Sequence, residues 1–420
     1  MDHFTYNAGV LHAEDVPLSA IARAVGTPVY VYSRATLTRH ARVFREALTA
    51  ALPRVHIAFA VKSNPNLAVL KLLAKEGYGA DVVSGGEMER ALTAGMAPEG
   101  IVFSGVGKTR SELVRGLEAG VGQFNLESEE EGVELAALAA ERGLTATAAL
   151  RVNPDVDAGT HGKISTGKAE NKFGVPYDRA AGIYARLAAL PGLEMRALAV
   201  HIGSQLARLE PMEAAFDRMG ALMREIRAAG GSITHMDLGG GVGVPYKADD
   251  VFPSPEDYAA MLARVTADWG VTLMFEPGRI ITGNSGVLLT EVVRVKPGVT
   301  SPFVIVDAAM NDLARPALYD AWHDFVAVSP KGPRMTAHVV GPICETSDTF
   351  AMGRDIDVVA AGDLAVFRTA GAYGATMANT YNSRALVPEV MVDADKWALV
   401  AQRIDPAVIL AAERVPDWLE

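Results

Sequence analysis

Between about residues 35 and 282 one pattern recurs eight times: a short apolar run rich in strand formers, a polar or glycine-bearing tail, and in most cases a stretch of helical period. The runs are HIAFAV (56–61), ADVVS (80–84), IVFSG (101–105), QFNLE (123–127), ATAALRV (146–152), ALAVHIG (197–203), HMDLGG (235–240) and LMFEPG (273–278). Parallel strands joined by crossover helices produce this alternation, and eight of them are what a closed (β/α)8 barrel demands. The intervening helices carry matching end signals. SGGEMERALTAG and SEEEGVELAALAAERG place acids in the first turn and glycine at the end, as the helix dipole and the C-cap favour.

After residue 283 the texture changes. VLLTEVVRVKPG, SPFVIVDAAM, TAHVVGPIC, DIDVVAAG and DLAVFRTAG read as strands with almost no amphipathic helix between them, which predicts a second, mainly antiparallel β domain. TPVYVYS (27–33) is strand-like and precedes the helical stretch RATLTRHARVFREALTA, so it is assigned to that β domain. The expected division is therefore a barrel over residues 35–282 and a β domain built from 1–34 and 283–420.

Composition narrows the ligand class. A formal net charge of -11 and a pI near 5.4 argue against a sequence-independent grip on nucleic-acid phosphates. Small molecules are the expected ligands, with no nucleic acid and no membrane among the partners. No apolar run approaches the roughly 20 residues a membrane helix needs. MDHFTYNAGVLHAEDVPLS has acids and no basic stretch leading into an apolar one, so no secretory signal is expected. The chain has one cysteine, which rules out an internal disulfide framework and a structural CxxC zinc site and fits a reducing cytoplasm. No metal is expected.

In a barrel of this kind the chemistry belongs at the C-terminal ends of the strands. Lys62, in FAVKSN, directly follows an apolar strand, where partial desolvation suits an amine for Schiff-base chemistry; an ordinary solvated lysine is the plain alternative. HIGSQ closes the sixth run, with His201 near its end and Ser204 just beyond, and an imidazole there could lie flat against a flat ring, although core histidines are common. DLGGGVG follows the seventh run and supplies consecutive glycines whose N–H groups can converge on an anion such as phosphate. Glycine loops also serve as plain turns. FEPGR closes the eighth run, and Glu276 there could keep a pyridine nitrogen protonated. The lone thiol, Cys344, sits in GPICETSD among polar residues; a small buried hydrophobe is its bland reading.

These stretches, with DVVSGGE, HGKISTGKAENKFG, DAAMNDLARPALYDAWH and TAGAYG, resemble the fold-type III pyridoxal-phosphate decarboxylases, in order and spacing, from about residue 27 to 385. The resemblance implies pyridoxal 5'-phosphate as cofactor. It gives Lys62 the part of the lysine that holds the cofactor as an internal aldimine, and His201 that of the imidazole stacked on the pyridine ring. Ser204, Gly239, Gly240, Gly241 and Tyr373 match groups that hold the phosphate. Glu276 matches the partner of the pyridine nitrogen, with Pro277, Gly278 and Arg279 continuing that segment. Arg279, Arg315 and Tyr319 match positions that hold substrate carboxylates, Glu345 lies near the distal amine, and Tyr373 is shared by cofactor and substrate. Asp81 and Arg151 fall at supporting positions beside the cofactor. Cys344 matches an acid that protonates the substrate carbanion from the neighbouring subunit, which implies a homodimer with shared active sites.

Relatives acting on ornithine, arginine or carboxynorspermidine share the lysine and the cysteine loop. A substrate with a distal carboxylate and amine needs a cation as well as an anion, and Arg279, Arg315 and Glu345 meet that need, so meso-2,6-diaminopimelate, yielding lysine, is the expected substrate. The plain alternative for Arg315 is a surface salt bridge. Serine after Lys62 and Thr346 in the cysteine loop depart from the commoner pattern while keeping size and polarity. A non-catalytic cofactor-binding homologue and a racemase remain the competing classes, and the retained thiol and GPICETSD loop favour decarboxylation.

Overall fold

The computed structural model describes residues 2–157 and 172–419, so most of HGKISTGKAENKFG lies outside the described residues. The chain divides into two compact units. One comprises Thr38–Pro245 with Asp250–Ile281; the other comprises Met1–Leu37, Tyr246–Asp249 and Thr282–Glu420.

The first unit is the expected barrel. Its strands are Val55–Ala60, Gly79–Val82, Ile101–Phe103, Gln123–Leu126, Ala146–Asn153, Leu193–Ala199, His235–Asp237 and Thr272–Phe275. Each pairs in parallel with the next, and the ring closes where Leu273 lies opposite Val55. The runs read as continuously apolar because both faces are covered; Gly79–Val82 and Gln123–Leu126 are buried at every position. The helices begin where the side chains dictate. Ser84 accepts from the Glu87 N–H and Ser128 from the Glu131 N–H, both at 3.2 Å, while Thr109 and Glu112 form a reciprocal capping box.

Several predicted strands run on too far. The sixth is Leu193–Ala199, so His201 falls beyond it, and the seventh stops at Asp237. The chain leaves the sheet at Gly239, whose φ of +64 is open to glycine and closed to strand backbone. Those short exits carry the polar groups of the site.

The second unit is mainly antiparallel, as expected, with two parallel pairings in its large sheet. Val29–Ser33 pairs antiparallel with Gly286–Lys296 and parallel with Glu389–Asp393, and Phe303–Val306 pairs parallel with Arg334–Val340. The expected strand DIDVVAAG is displaced: the strand is Thr349–Asp357, and the Asp363 carboxylate turns the chain beyond it by accepting from the Ala360 N–H at 2.8 Å. The hairpins Phe4–Asn7/Val10–Ala13 and Glu389–Asp393/Lys396–Ala401 went unread in the sequence. The first turns on Ala8 and Gly9, both at positive φ, a two-residue turn whose alanine gives no sequence signal. Val29, Val31, Val287, Leu289, Val366, Val390 and Val392 form the core of this unit with Leu11, Leu18 and Ile21 from the N-terminal segment.

Candidate active site

Within the barrel unit a cavity of about 400 Å³ is lined by Lys62, Arg151, His201, Asp237 and Glu276, with Ser104, Asn125 and Phe173 among its walls. Each arrives by the same local logic. Asp81 and Asn125 lie in strands, Asp237 ends one, and Lys62, His201 and Glu276 stand one or two residues past a strand end.

Lys62 sits in the turn Val61–Ser63, and its Nζ donates to Asp81 Oδ2 at 2.7 Å. The side chain of Asp81 is fully buried whereas that of Lys62 keeps 39% exposure, so the ammonium is held at a wall of the cavity without being sealed. Asp81 Oδ1 is buried with no hydrogen-bond partner among the described residues. A lysine held this way is oriented along one direction and still reachable by an aldehyde.

His201 takes an Nδ1 hydrogen bond from the Gly240 N–H at 3.3 Å, so Nδ1 carries no proton and a neutral ring carries it on Nε2. Burial, then the charges of Arg151 and Lys62, push the imidazole down to about 3. A neutral, flat ring at neutral pH is the consequence. Arg151 is itself fixed, donating to Glu127 Oε1 at 2.7 Å with its guanidinium 4.7 Å over the Phe173 ring, and Glu127 also accepts from the Gly174 N–H at 2.8 Å.

Asp237 is buried and Glu276 half-buried in the same cavity, and Asn125 donates to both. Burial raises Glu276 well above the usual carboxyl range, and the charges of Asp237 and Asp81 add to it. Asn125 Nδ2 donates to Asp237 Oδ2 at 3.0 Å and to Glu276 Oε1 at 3.3 Å, and Ser104 Oγ lies 3.4 Å from Glu276 Oε1. Asn125, Ser104 and Asp237 were missed as functional residues in the sequence. The signal available was Gln123, Asn125 and Glu127, three polar residues at strand spacing within an otherwise apolar run.

The glycine loop fits an anion cradle. A side chain at Gly239 would place a Cβ 2.6 Å from the Val200 oxygen, and one at Gly240 would run into the Glu276 carbonyl oxygen. Gly240→Ala is expected to cost about 1–3 kcal/mol by overpacking, read as a lower urea midpoint. Arg279 Nη2 donates to Ser204 Oγ at 3.2 Å, so the two are brought together beyond the eighth and sixth strands. Gly278 has Ala60 and Ser63 within 3.2 Å of an added Cβ, and the Pro277 oxygen accepts from the Ala60 N–H at 3.0 Å, which ties FEPGR to the lysine turn.

The other predicted residues belong to the second unit. Arg315 is 6% exposed and opens the helix Arg315–Tyr319, whose last residue, Tyr319, is half-buried. The Arg315 Nη1 donates to His323 Nε2 at 2.9 Å, its guanidinium lies 4.8 Å over the Tyr246 ring, and burial removes the surface salt-bridge reading. Cys344 is exposed, which removes the reading as a buried hydrophobe. Glu345 accepts from Tyr381 OH at 2.8 Å and from the Ser347 hydroxyl. Tyr373 holds a φ of +54, a costly conformation for an aromatic residue and one that needs surrounding structure to maintain.

The family described as "Pyridoxal-dependent decarboxylase, pyridoxal binding domain" matches residues 34–283. A diaminopimelate decarboxylase of Zymomonas mobilis is 51% identical over 418 residues, 99% of each chain. The chain belongs to the diaminopimelate decarboxylase family, among the fold-type III pyridoxal-phosphate enzymes. Solved structures agree. Diaminopimelate decarboxylase of M. jannaschii superposes with a TM-score of 0.95 at 33% identity, covering 100% of this chain and 99% of that one. The Helicobacter pylori diaminopimelate decarboxylase, crystallised with L-lysine, gives 0.90 at 36%, covering 94% and 98%. The pyridoxal-binding stretch named by the family coincides with the barrel that holds Lys62, His201 and Glu276.

Proposed function

We infer that this chain removes carbon dioxide from meso-2,6-diaminopimelate to leave L-lysine, the closing step of lysine biosynthesis, using pyridoxal 5'-phosphate in the cytoplasm. The observation that carries the reading is the one barrel cavity that gathers Lys62, His201 and Glu276. Lys62 would hold pyridoxal 5'-phosphate through Nζ until a substrate amine takes its place, and the cofactor would supply the electron sink for the pair left on Cα when carbon dioxide departs.

The residues of the chain do the rest. Asp81 keeps the Lys62 amine aimed, neutral His201 presents a flat face, and Glu276 faces the ring nitrogen. Ser204, Gly239, Gly240 and Gly241 hold the phosphate with Tyr373, and Pro277, Gly278 and Arg279 complete that wall. Arg279, Arg315 and Tyr319 take the substrate carboxylates and Glu345 the distal amine. Cys344, supplied by the partner subunit of a homodimer, protonates Cα. No helix among the described residues is long and apolar enough to cross a membrane, in keeping with a cytoplasmic place.

The test is product analysis with meso-diaminopimelate, ornithine and arginine offered separately to purified protein and added pyridoxal 5'-phosphate. Carbon dioxide and lysine from diaminopimelate alone support the reading; preference for ornithine or arginine overturns the substrate assignment. Arg315→Leu removes a charged donor worth about 1.5–3 kcal/mol, so KM for diaminopimelate is expected to rise roughly 10- to 100-fold with cofactor affinity kept. Equal losses in both contradict its assigned part.

A further inference from the structure

His323 is 1% exposed and stands two residues before the strand Phe325–Ala327, which pairs antiparallel with Leu364–Phe367. One step beyond that pairing the Arg368 N–H donates to the Asp324 oxygen at 2.8 Å, and the Arg368 oxygen lies 2.9 Å from His323 Nδ1. On the other side of the ring, Nε2 lies 2.9 Å from Arg315 Nη1. A turn brings the two side chains together. The Asp320 N–H donates to the Pro316 oxygen at 3.0 Å and the Ala321 N–H to the Arg315 oxygen at 3.4 Å, which reverses the chain beyond the helix Arg315–Tyr319.

These contacts fix the protonation of the ring. A guanidinium only donates and a backbone carbonyl only accepts, so Nε2 is the bare nitrogen and Nδ1 carries the hydrogen. His323 is therefore neutral and in one tautomer, because a second proton would set a donor against Arg315 Nη1. An imidazole in this state brings no negative charge, so it directs the guanidinium without neutralising it. Tyr246 completes the seat: the Arg315 guanidinium lies 4.8 Å over the face of its ring, and His323 meets the same ring edge-on at 5.3 Å and 89°. Each of the three side chains touches the other two. Pinning one nitrogen of a rigid planar fork fixes the plane of the whole group.

We propose that His323 is a positioning residue for the substrate carboxylate: its bare Nε2, aimed by the Arg368 carbonyl and packed against Tyr246, sets the plane of the Arg315 guanidinium before the substrate arrives. A preset charge lowers the ordering cost of binding. Loss of the bare nitrogen therefore weakens the grip on that carboxylate without slowing the bond-breaking step, because the contact is the same in the ground and transition states.

This inference rests on the part given to Arg315 in the proposed function, and the experiment separates the two. Holoenzyme is assayed for KM and kcat with diaminopimelate, and L-lysine, which keeps the distal carboxylate, is titrated by calorimetry for its Kd. Arg315→Leu is measured first; unchanged KM and Kd overturn the part of Arg315 and the inference with it.

With that part established, two replacements divide the functions of the ring. His323→Asn sets an amide NH2 near the position of Nδ1, keeping a donor for the Arg368 oxygen and losing the acceptor for Arg315. His323→Gln sets an amide oxygen near the position of Nε2 and keeps that acceptor. His323→Asn is expected to raise both KM and Kd by about fivefold or more with kcat within about threefold of wild type, and a smaller rise overturns the proposal. His323→Gln is expected to keep KM and Kd within about threefold of wild type, and larger values overturn it. A merely structural part, exercised through Arg368, predicts the reverse order. Should either variant fail to fold, the other decides alone by the same limits.

Discussion

Lys62→Ala is expected to lower carbon dioxide release from diaminopimelate on the order of 10⁴-fold or more, because it removes the one amine that the described residues bring to the cavity. Among the described residues that line the cavity Lys62 is the sole lysine; the other cation, Arg151, is a guanidinium committed to Glu127 at 2.7 Å. The Lys62 side chain is 39% exposed, so truncation removes little packing. It does leave the buried Asp81 carboxylate without the Lys62 ammonium, and its Oδ1 has no hydrogen-bond partner among the described residues. Some loss of stability should therefore accompany the kinetic loss, and Lys62→Met separates the two by preserving the stem. Steady-state lysine production and borohydride labelling of Lys62 are the measurements; more than a tenth of wild-type turnover from either variant contradicts the assignment.

Cys344→Ala is the second large expected effect, and it differs in kind. The thiol is exposed, so its removal should shift stability by less than about 0.5 kcal/mol. Loss of a general acid costs typically 10²- to 10⁴-fold, and that range is expected in turnover while the cofactor still loads. Mixing tests the shared site directly. When Lys62→Ala and Cys344→Ala subunits exchange at random, half of the dimers are hybrids with one of two sites intact, so activity should recover to about a quarter of wild type if each site draws on both subunits. No recovery after exchange contradicts delivery of Cys344 from the partner.

The barrel was legible because its signals are local. An apolar run buried on both faces, a capping serine and a closing glycine are each set by a few neighbouring residues, as at Ser84 and Ser128. Strand ends were less legible, since Gly239 and its neighbours look like a continuation of HMDLGG until φ is known. The second unit was read with more error. Val29–Ser33 lies between Gly286–Lys296 and Glu389–Asp393, and partners so remote in sequence leave no periodic trace of whether they run parallel or antiparallel.

Residue identity along the chain was enough for the eight-strand barrel, the family and the gathering of Lys62, His201 and Glu276 past the strand ends, because motif order and strand period survive in one dimension. Charge states and their control were decided only in three dimensions. Asn125 meets Asp237 and Glu276 across separations of 112 and 151 residues, and Lys62 meets Asp81 across 19. Whether a carboxyl keeps its proton depends on desolvation and on charges a few ångströms away, and both quantities come into being only when the strands close into a ring.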